Sequence, residues 1–151
     1  MTGHGSLRLV VRRVIPASRE RLFAAWTTPS HLKEWWGPRG VRCTHAEVDV
    51  RVGGRYRIDN ELPDGRVLVI AGEFVAVDAP TALVYTWRVA PSAADAVDEL
   101  VTVEFLAHGT DTEVVITHER VVDERKRGEH EDGWKGCLDR LGAFVVVTAR
   151  T

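Results

Sequence analysis

Leu22-Phe23-Ala24-Ala25-Trp26-Thr27-Thr28-Pro29-Ser30-His31-Leu32-Lys33-Glu34-Trp35-Trp36-Gly37-Pro38 gathers three of the chain's five tryptophans into one short stretch. Ser18 precedes it as an N-cap, and Leu22, Phe23 and Trp26 follow at i, i+1, i+4 spacing on one helix face. Thr28 as N-cap and Pro29 at the first helical position open a second short helix. Its inner face carries Leu32, Trp35 and Trp36, and Gly37-Pro38 stops it. Neighbours on a helix diverge by about 100°, so Trp35 and Trp36 are expected to point apart. One would cap a pocket mouth or meet a partner, unless both pack on the sheet edge and loops. Three indoles this close require a large apolar surface opposite them.

That surface is legible on either side. Residues 7 to 15 are rich in β-branched side chains and end at Pro16, as a first strand would. From residue 45 the period becomes two. Val48 and Val50 alternate with charge, Gly53-Gly54 turns, and Tyr56, Ile58 and Asn60 alternate with Arg55, Arg57 and Asp59. Pro63-Asp64-Gly65 and Asp78-Ala79-Pro80 bracket a long strand from about 66 to 77. Leu83, Tyr85, Trp87 and Val89 share a face of the next strand. After an Ala/Asp/Pro/Ser-rich loop at 90 to 98, Val101, Val103 and Phe105 share another. His108-Gly109-Thr110-Asp111 turns into a last strand with Val114, Ile116 and His118 on one side. Residues 129 to 150 read as one amphipathic helix with Trp134, Leu138, Leu141 and Val145 in a narrow stripe. Gly133, Gly136 and Gly142 are poor helix formers, and their expected use is close approach or free volume.

With no helix between the later strands, they are expected to pair antiparallel. The fold class is α+β, a helix-grip: a curved antiparallel sheet of about six or seven strands around a long C-terminal helix, with two short helices after the first strand. The 151 residues fit a single domain, 1–151, with an ordered core of about 7–150.

Composition narrows the partners. An apolar fraction of 44% with 28% charged residues describes an ordinary soluble globular protein, and no apolar run suits membrane insertion. The polar N-terminus Met1 to Ser6 lacks the apolar core of a secretory signal, so a cytoplasmic location is expected. A net charge of -2, spread along the chain, gives no field to collect a polyanion, and nucleic acid is not an expected partner. Asp123 to Asp132 mixes signs and reads as a solvated loop and helix start. Cys43 and Cys137 stand outside any CxxC or Cys/His cluster and read as free packing thiols. No metal site and no cofactor are expected.

Several phrases together resemble one family: the run Phe23 to Pro38, the turn Arg51-Val52-Gly53-Gly54-Arg55-Tyr56, the strand Leu83-Val84-Tyr85-Thr86-Trp87, and Thr117-His118-Glu119 with Gly133-Trp134 and Leu138-Asp139-Arg140-Leu141. They are similar to the bacterial activator of Hsp90 ATPase homologue family, within the START/Bet v 1-like (SRPBCC) superfamily. The resemblance covers nearly the whole chain and implies the helix-grip fold. It also implies lipid or hormone carriage, polyketide cyclase chemistry or chaperone activation, among which fold does not choose.

Catalytic signatures are scarce. There is no GxSxG, Walker A loop or Rossmann fingerprint, and His118-Glu119 lacks the second histidine of a metalloprotease helix. Gly53-Gly54 has no helix start beside it to cradle phosphate and reads as a turn. The expected function is binding of a small hydrophobic or amphipathic molecule between sheet and C-terminal helix. Its expected lining is Trp36, Tyr56, Asn60, Tyr85, Trp87, Phe105, His118, Trp134 and Leu138, an apolar set with a few polar handles. His118 reads either as a ligand contact titrating near neutrality or as a packed histidine bonded to backbone or a carboxylate. Glu73 faces outward by alternation, and a bulge at Gly72 would turn it inward as an acid or base. The rival readings are a chaperone interaction module and a cyclase-like enzyme using His118 with Tyr85 or Glu73. A homodimer would form through the outer sheet face or the exposed tryptophan region. Trp134 is expected over the sheet face that carries Ile116 and His118.

Overall fold

The computed structural model describes residues 7–90 and 97–149, with the side chains of 147–149 left aside. Residues 1–6 and most of the expected loop at 90–98 lie outside the described part. Strand β1 (Leu7–Ile15) is followed by α1 (Arg19–Thr27) and α2 (Pro29–Trp35). Six strands come next: β2 (Arg42–Val48), β3 (Arg55–Glu61), β4 (Val67–Asp78), β5 (Ala82–Ala90), β6 (Glu99–His108) and β7 (Asp111–Val121). Helix α3 (Glu124–Ala149) closes the chain.

Hairpin connections between consecutive strands force antiparallel pairing, and one seven-stranded sheet results in the order β1-β7-β6-β5-β4-β3-β2. The first strand is the exception, returning to pair with the last, Val11 opposite Ile116. Period-two alternation then buries one sheet face, on which Leu83, Tyr85, Val101, Val103, Phe105, Val114 and Ile116 are each at most 3% exposed. Helix α3 lies over β1 and β7, α1 over β6, and α2 over β2. The sheet therefore curves around α3 as a helix-grip.

The two short helices begin where their caps direct. Ser18 Oγ accepts from the Arg21 N–H at 3.2 Å, and Pro29 sits in the first turn after Thr28. Helix α3 starts earlier than residue 129, because Asp123 caps it and accepts from the Lys126 N–H at 2.8 Å. The mixed charges after it form the first turns of this helix rather than a loop.

Trp36 departs from its expected direction, and Glu73 keeps its own. Trp35 and Trp36 are both buried, at 0% and 3% exposure. Trp36 is the C-cap of α2 with an extended backbone (φ -65°, ψ 137°), so the helical 100° divergence does not apply to it. Gly37, at φ +100°, then carries the chain away in a conformation that favours glycine. All five tryptophans are buried, which removes an exposed tryptophan region as a dimer surface. Glu73 is exposed, because the β4–β5 register slips only after it, between Phe74 and Ala76. Glu73 thus takes the outward direction that alternation gives it, and the inward acid or base that a bulge at Gly72 would make is not formed.

Gly72 serves a close approach instead of a bulge. A Cβ there would stand 2.1 Å from the Thr86 carbonyl oxygen, the same atom that accepts from the Tyr56 hydroxyl at 2.6 Å. Among the helical glycines, Gly136 has the same role, since a Cβ would meet Pro38 Cβ at 2.8 Å. Gly133 and Gly142 face open space.

Candidate functional site

Trp26 is the hub of the interior. Its ring stacks near that of Trp134 (centroids 6.1 Å apart) and lies 4.8 Å from that of Trp35 and 5.8 Å from that of Phe105. Its indole N–H donates to the Tyr85 hydroxyl at 3.2 Å, and that of Trp35 donates to the Ala25 carbonyl at 2.9 Å. Aromatic rings packed in stacked, tilted and edge-to-face contacts at these separations fill the volume expected to be a cavity. The space left among Trp26, Trp36, Tyr56, Ile58, Phe74 and Tyr85 is only about 20 Å³. That is about one water's worth of room. Burial raises the pKa of both tyrosines in this region.

A polar chain runs beside this core. The Trp134 indole N–H donates to His118 Nδ1 at 3.0 Å, and His118 Nε2 lies 2.6 Å from Glu99 Oε1. An indole nitrogen can only donate, so Nδ1 must hold a lone pair and Nε2 the proton. His118 is thus fixed as the neutral Nε2–H tautomer, donating to Glu99. Its pKa is lowered, first by desolvation and also by the charge of nearby His130, against the opposing pull of Glu99. Burial pushes the Glu99 carboxyl up, but its contacts with His118 and His130 outweigh this and hold it at about 2.

His130, on the first turns of α3, stacks on the His118 ring at 4.2 Å. Its Nε2 is 2.9 Å from Glu99 Oε1 but off the hydrogen-bond direction. Glu99, His118 and His130 converge closely enough to suggest a metal cluster. The tautomer argues against it, because a His118 whose Nδ1 accepts from an indole has no lone pair free on Nε2 to give a cation. Both nitrogens of His118 are engaged and the residue is fully buried, so it has no open face for a substrate.

The usable space is one step outward. A pocket of about 110 Å³ opens between α3 and the ends of β3, β4 and β5, lined by Trp36, Pro38, Asn60, Ile70, Trp87 and Trp134 among others. Gly133, His130, Glu129 and Cys137 complete it from α3, with Gly37 beside Pro38. Asn60 is turned toward the backbone, its amide donating to the Ile58 and Leu68 carbonyls at 3.1 and 3.4 Å. Burial pushes the Cys137 thiol up to about 12, which keeps it neutral.

The nine residues expected to line a cavity are all buried, and the structure divides them. Trp36, Asn60, Trp87 and Trp134 line the 110 Å³ pocket, and Tyr56 and Tyr85 the small void, which Trp36 also touches. Phe105, His118 and Leu138 line neither. Sequence reasoning missed Glu99 and His130. Both had a signal: Glu99 shares the parity of Val101, Val103 and Phe105, and His130 is one helical turn before Trp134.

Arg140 was also missed, and it holds the pocket's far wall. Its Nη1 reaches the carbonyls of Trp36, Gly37 and Val41 at 3.2, 3.0 and 2.8 Å, and its Nη2 that of Glu34 at 3.4 Å. A guanidinium at the C-terminal carbonyls of α2 also offsets that helix's dipole. Arg140→Met is expected to lower stability by about 2 kcal/mol, because several carbonyls lose a charged donor at once. Urea unfolding checks this, and a loss below about 0.5 kcal/mol would show the clamp to be dispensable.

No helix is long and apolar enough to cross a membrane among the described residues. No curated protein matches the sequence. The crystal structure of protein CV1439 from Chromobacterium violaceum is similar, with 26% identity, a TM-score of 0.84, and 91% of this chain and 96% of that one covered. The AHSA1 protein from Silicibacter pomeroyi has 22% identity and a TM-score of 0.82, over 94% and 99% of the two chains. The AHSA1-like protein from Aeromonas hydrophila has 24% identity and a TM-score of 0.77, over 95% and 94%. The last two likenesses establish the fold alone. The family model of activator of Hsp90 ATPase homolog 1-like proteins matches residues 16–145, and the chain belongs to that family.

Proposed function

We propose that the protein binds a small hydrophobic or amphipathic molecule in the pocket between α3 and the ends of β3 to β5. The observation that carries the reading is a 110 Å³ space walled by Trp36, Ile70, Trp87 and Trp134 in an otherwise filled interior. For comparison, an apolar cavity of about 150 Å³ holds benzene. The enclosed part of the occupant is therefore no larger than benzene: a small molecule, or the end of a longer amphipathic one whose remainder leaves through the mouth. The filled core behind the pocket limits depth, so size selection is strict.

Gly133 supplies the test. A Cβ there meets nothing within 4 Å, so Gly133→Leu extends into the pocket without collision at its first atom. Leucine is also the better helix former by up to about 1 kcal/mol, so the fold is expected to stay intact. Binding of small cyclic hydrocarbons and ketones, followed by tryptophan fluorescence, should weaken at least tenfold in this variant. Unchanged binding in Gly133→Leu, or no binder in the panel, would sink the reading.

The family match carries a second reading, action on a chaperone ATPase. It predicts that the purified protein changes the ATPase rate of an Hsp90 homologue, and that Gly133→Leu leaves that effect untouched.

A further inference from the structure

We propose that Gly136 sets the width of this pocket and so limits the enclosed part of a ligand to one small flat ring. The inference rests on the ligand-binding reading above and names what limits its ligands. On one side the pocket is walled by the segment after α2, through Trp36, Gly37 and Pro38, and on another by α3, through Gly133, Trp134 and Cys137. The segment comes down on α3 at Gly136, one helical turn past Gly133. A Cβ at Gly136 would stand 2.8 Å from Pro38 Cβ and 3.0 Å from Pro38 Cα. Carbon atoms in contact rest about 3.5–4.0 Å apart, so even one methyl group here would lift Pro38 off the helix by about 1 Å.

Pro38 has no side-chain rotamer by which to step aside, because its ring is closed on its own backbone. Arg140, one turn further along α3, pulls the same segment down through the carbonyls of Trp36, Gly37 and Val41. Attraction at Arg140 and contact at Gly136 together hold the segment as near to α3 as its backbone allows. Glycine is a poor residue for a helix interior, and this close approach is what its missing side chain permits. A guest thicker than the gap would have to push back a wall that three hydrogen bonds hold in place. The pocket therefore discriminates by thickness more than by apolar surface.

Benzene and norbornane test this in the full chain. Norbornane has one carbon more and is no less apolar, but it is a cage, thicker than the flat ring. Wild-type protein is expected to bind benzene about tenfold or more tighter, because overpacking against a fixed wall outweighs the added apolar surface. Gly136→Ala should narrow that ratio at least about threefold, and a crystal structure of the variant should show Pro38 about 1 Å further from α3. Arg140→Met releases the wall instead of pushing it and should narrow the ratio too, which carries the test if the first variant does not fold. Gly142→Ala makes the same exchange on the same helix where a Cβ meets nothing within 4 Å, and should leave the ratio as it is. A wild-type ratio in both Gly136→Ala and Arg140→Met would overturn the inference, as would Pro38 keeping its place in Gly136→Ala. Norbornane binding the wild-type protein as tightly as benzene would overturn the size limit and leave the pocket standing. Failure of both probes to bind would remove the pocket reading, and this inference with it.

Discussion

Trp134→Ala is expected to cost about 3–5 kcal/mol in urea unfolding, the range for removing a large aromatic from a tight core. The ring is 3% exposed and within 6.2 Å, centroid to centroid, of Trp26, Trp36, Trp87 and His118. A second contribution adds to the cavity. Removing the indole strands His118 Nδ1 in the interior, where an unmet acceptor carries its own penalty. Trp134→Phe separates the two, because it keeps most of the apolar volume while removing the N–H. Its expected cost is about 1–3 kcal/mol. Equal losses for the two variants would show that the hydrogen bond stabilises the fold more than the ring's packing does. A loss near zero for Trp134→Ala would mean the ring is a cavity wall that α3 does not need.

The fold was legible because local chemistry and global arrangement agree. Ser18 and Pro29 place α1 and α2, the period-two runs give the strands, and the stripe through Trp134, Leu138, Leu141 and Val145 aims α3 at the sheet. Trp134 indeed lies over His118, as its position on that stripe implies. The site was less legible, for three physical reasons. Trp36 leaves helical geometry at the C-cap, a change of ψ that residue spacing does not encode. The ladder slips between Phe74 and Ala76 rather than at the glycine that invited a bulge, so Glu73 stays outward. Most of all, sequence names the large side chains but not how closely they interlock. Trp26, Trp35, Tyr85 and Phe105 fill the space that a list of inward aromatics leaves open. The pair Glu99–His118 spans two strands at Val101 opposite His118, so finding it needs the β6–β7 register as well as the alternation.

Stability should fall as pH drops below about 6.5, and His118 should set the onset. Its pKa is lowered in the folded chain from the ordinary 6.5. In that window the unfolded chain takes up a proton that the folded chain refuses, so the unfolded state gains and stability declines with acid. The refusal is structural: a proton on Nδ1 would face the Trp134 N–H, and Nε2 already donates to Glu99. The slope can reach, and not exceed, one proton's worth, about 1.4 kcal/mol per pH unit. Below about pH 4.5 Glu99 adds to the loss, since its carboxyl is held at about 2 in the fold and protonates earlier when unfolded. Urea unfolding at steps from pH 7.5 to 3 measures both. His118→Gln, which cannot titrate, is expected to start from a lower stability and show a flatter profile between pH 6.5 and 4.5. A wild-type profile that is flat there, or a variant with the same slope, would mean that His118 takes up its proton in the folded state. The indole–imidazole–carboxylate chain would then have an alternative arrangement in which Trp134 releases Nδ1.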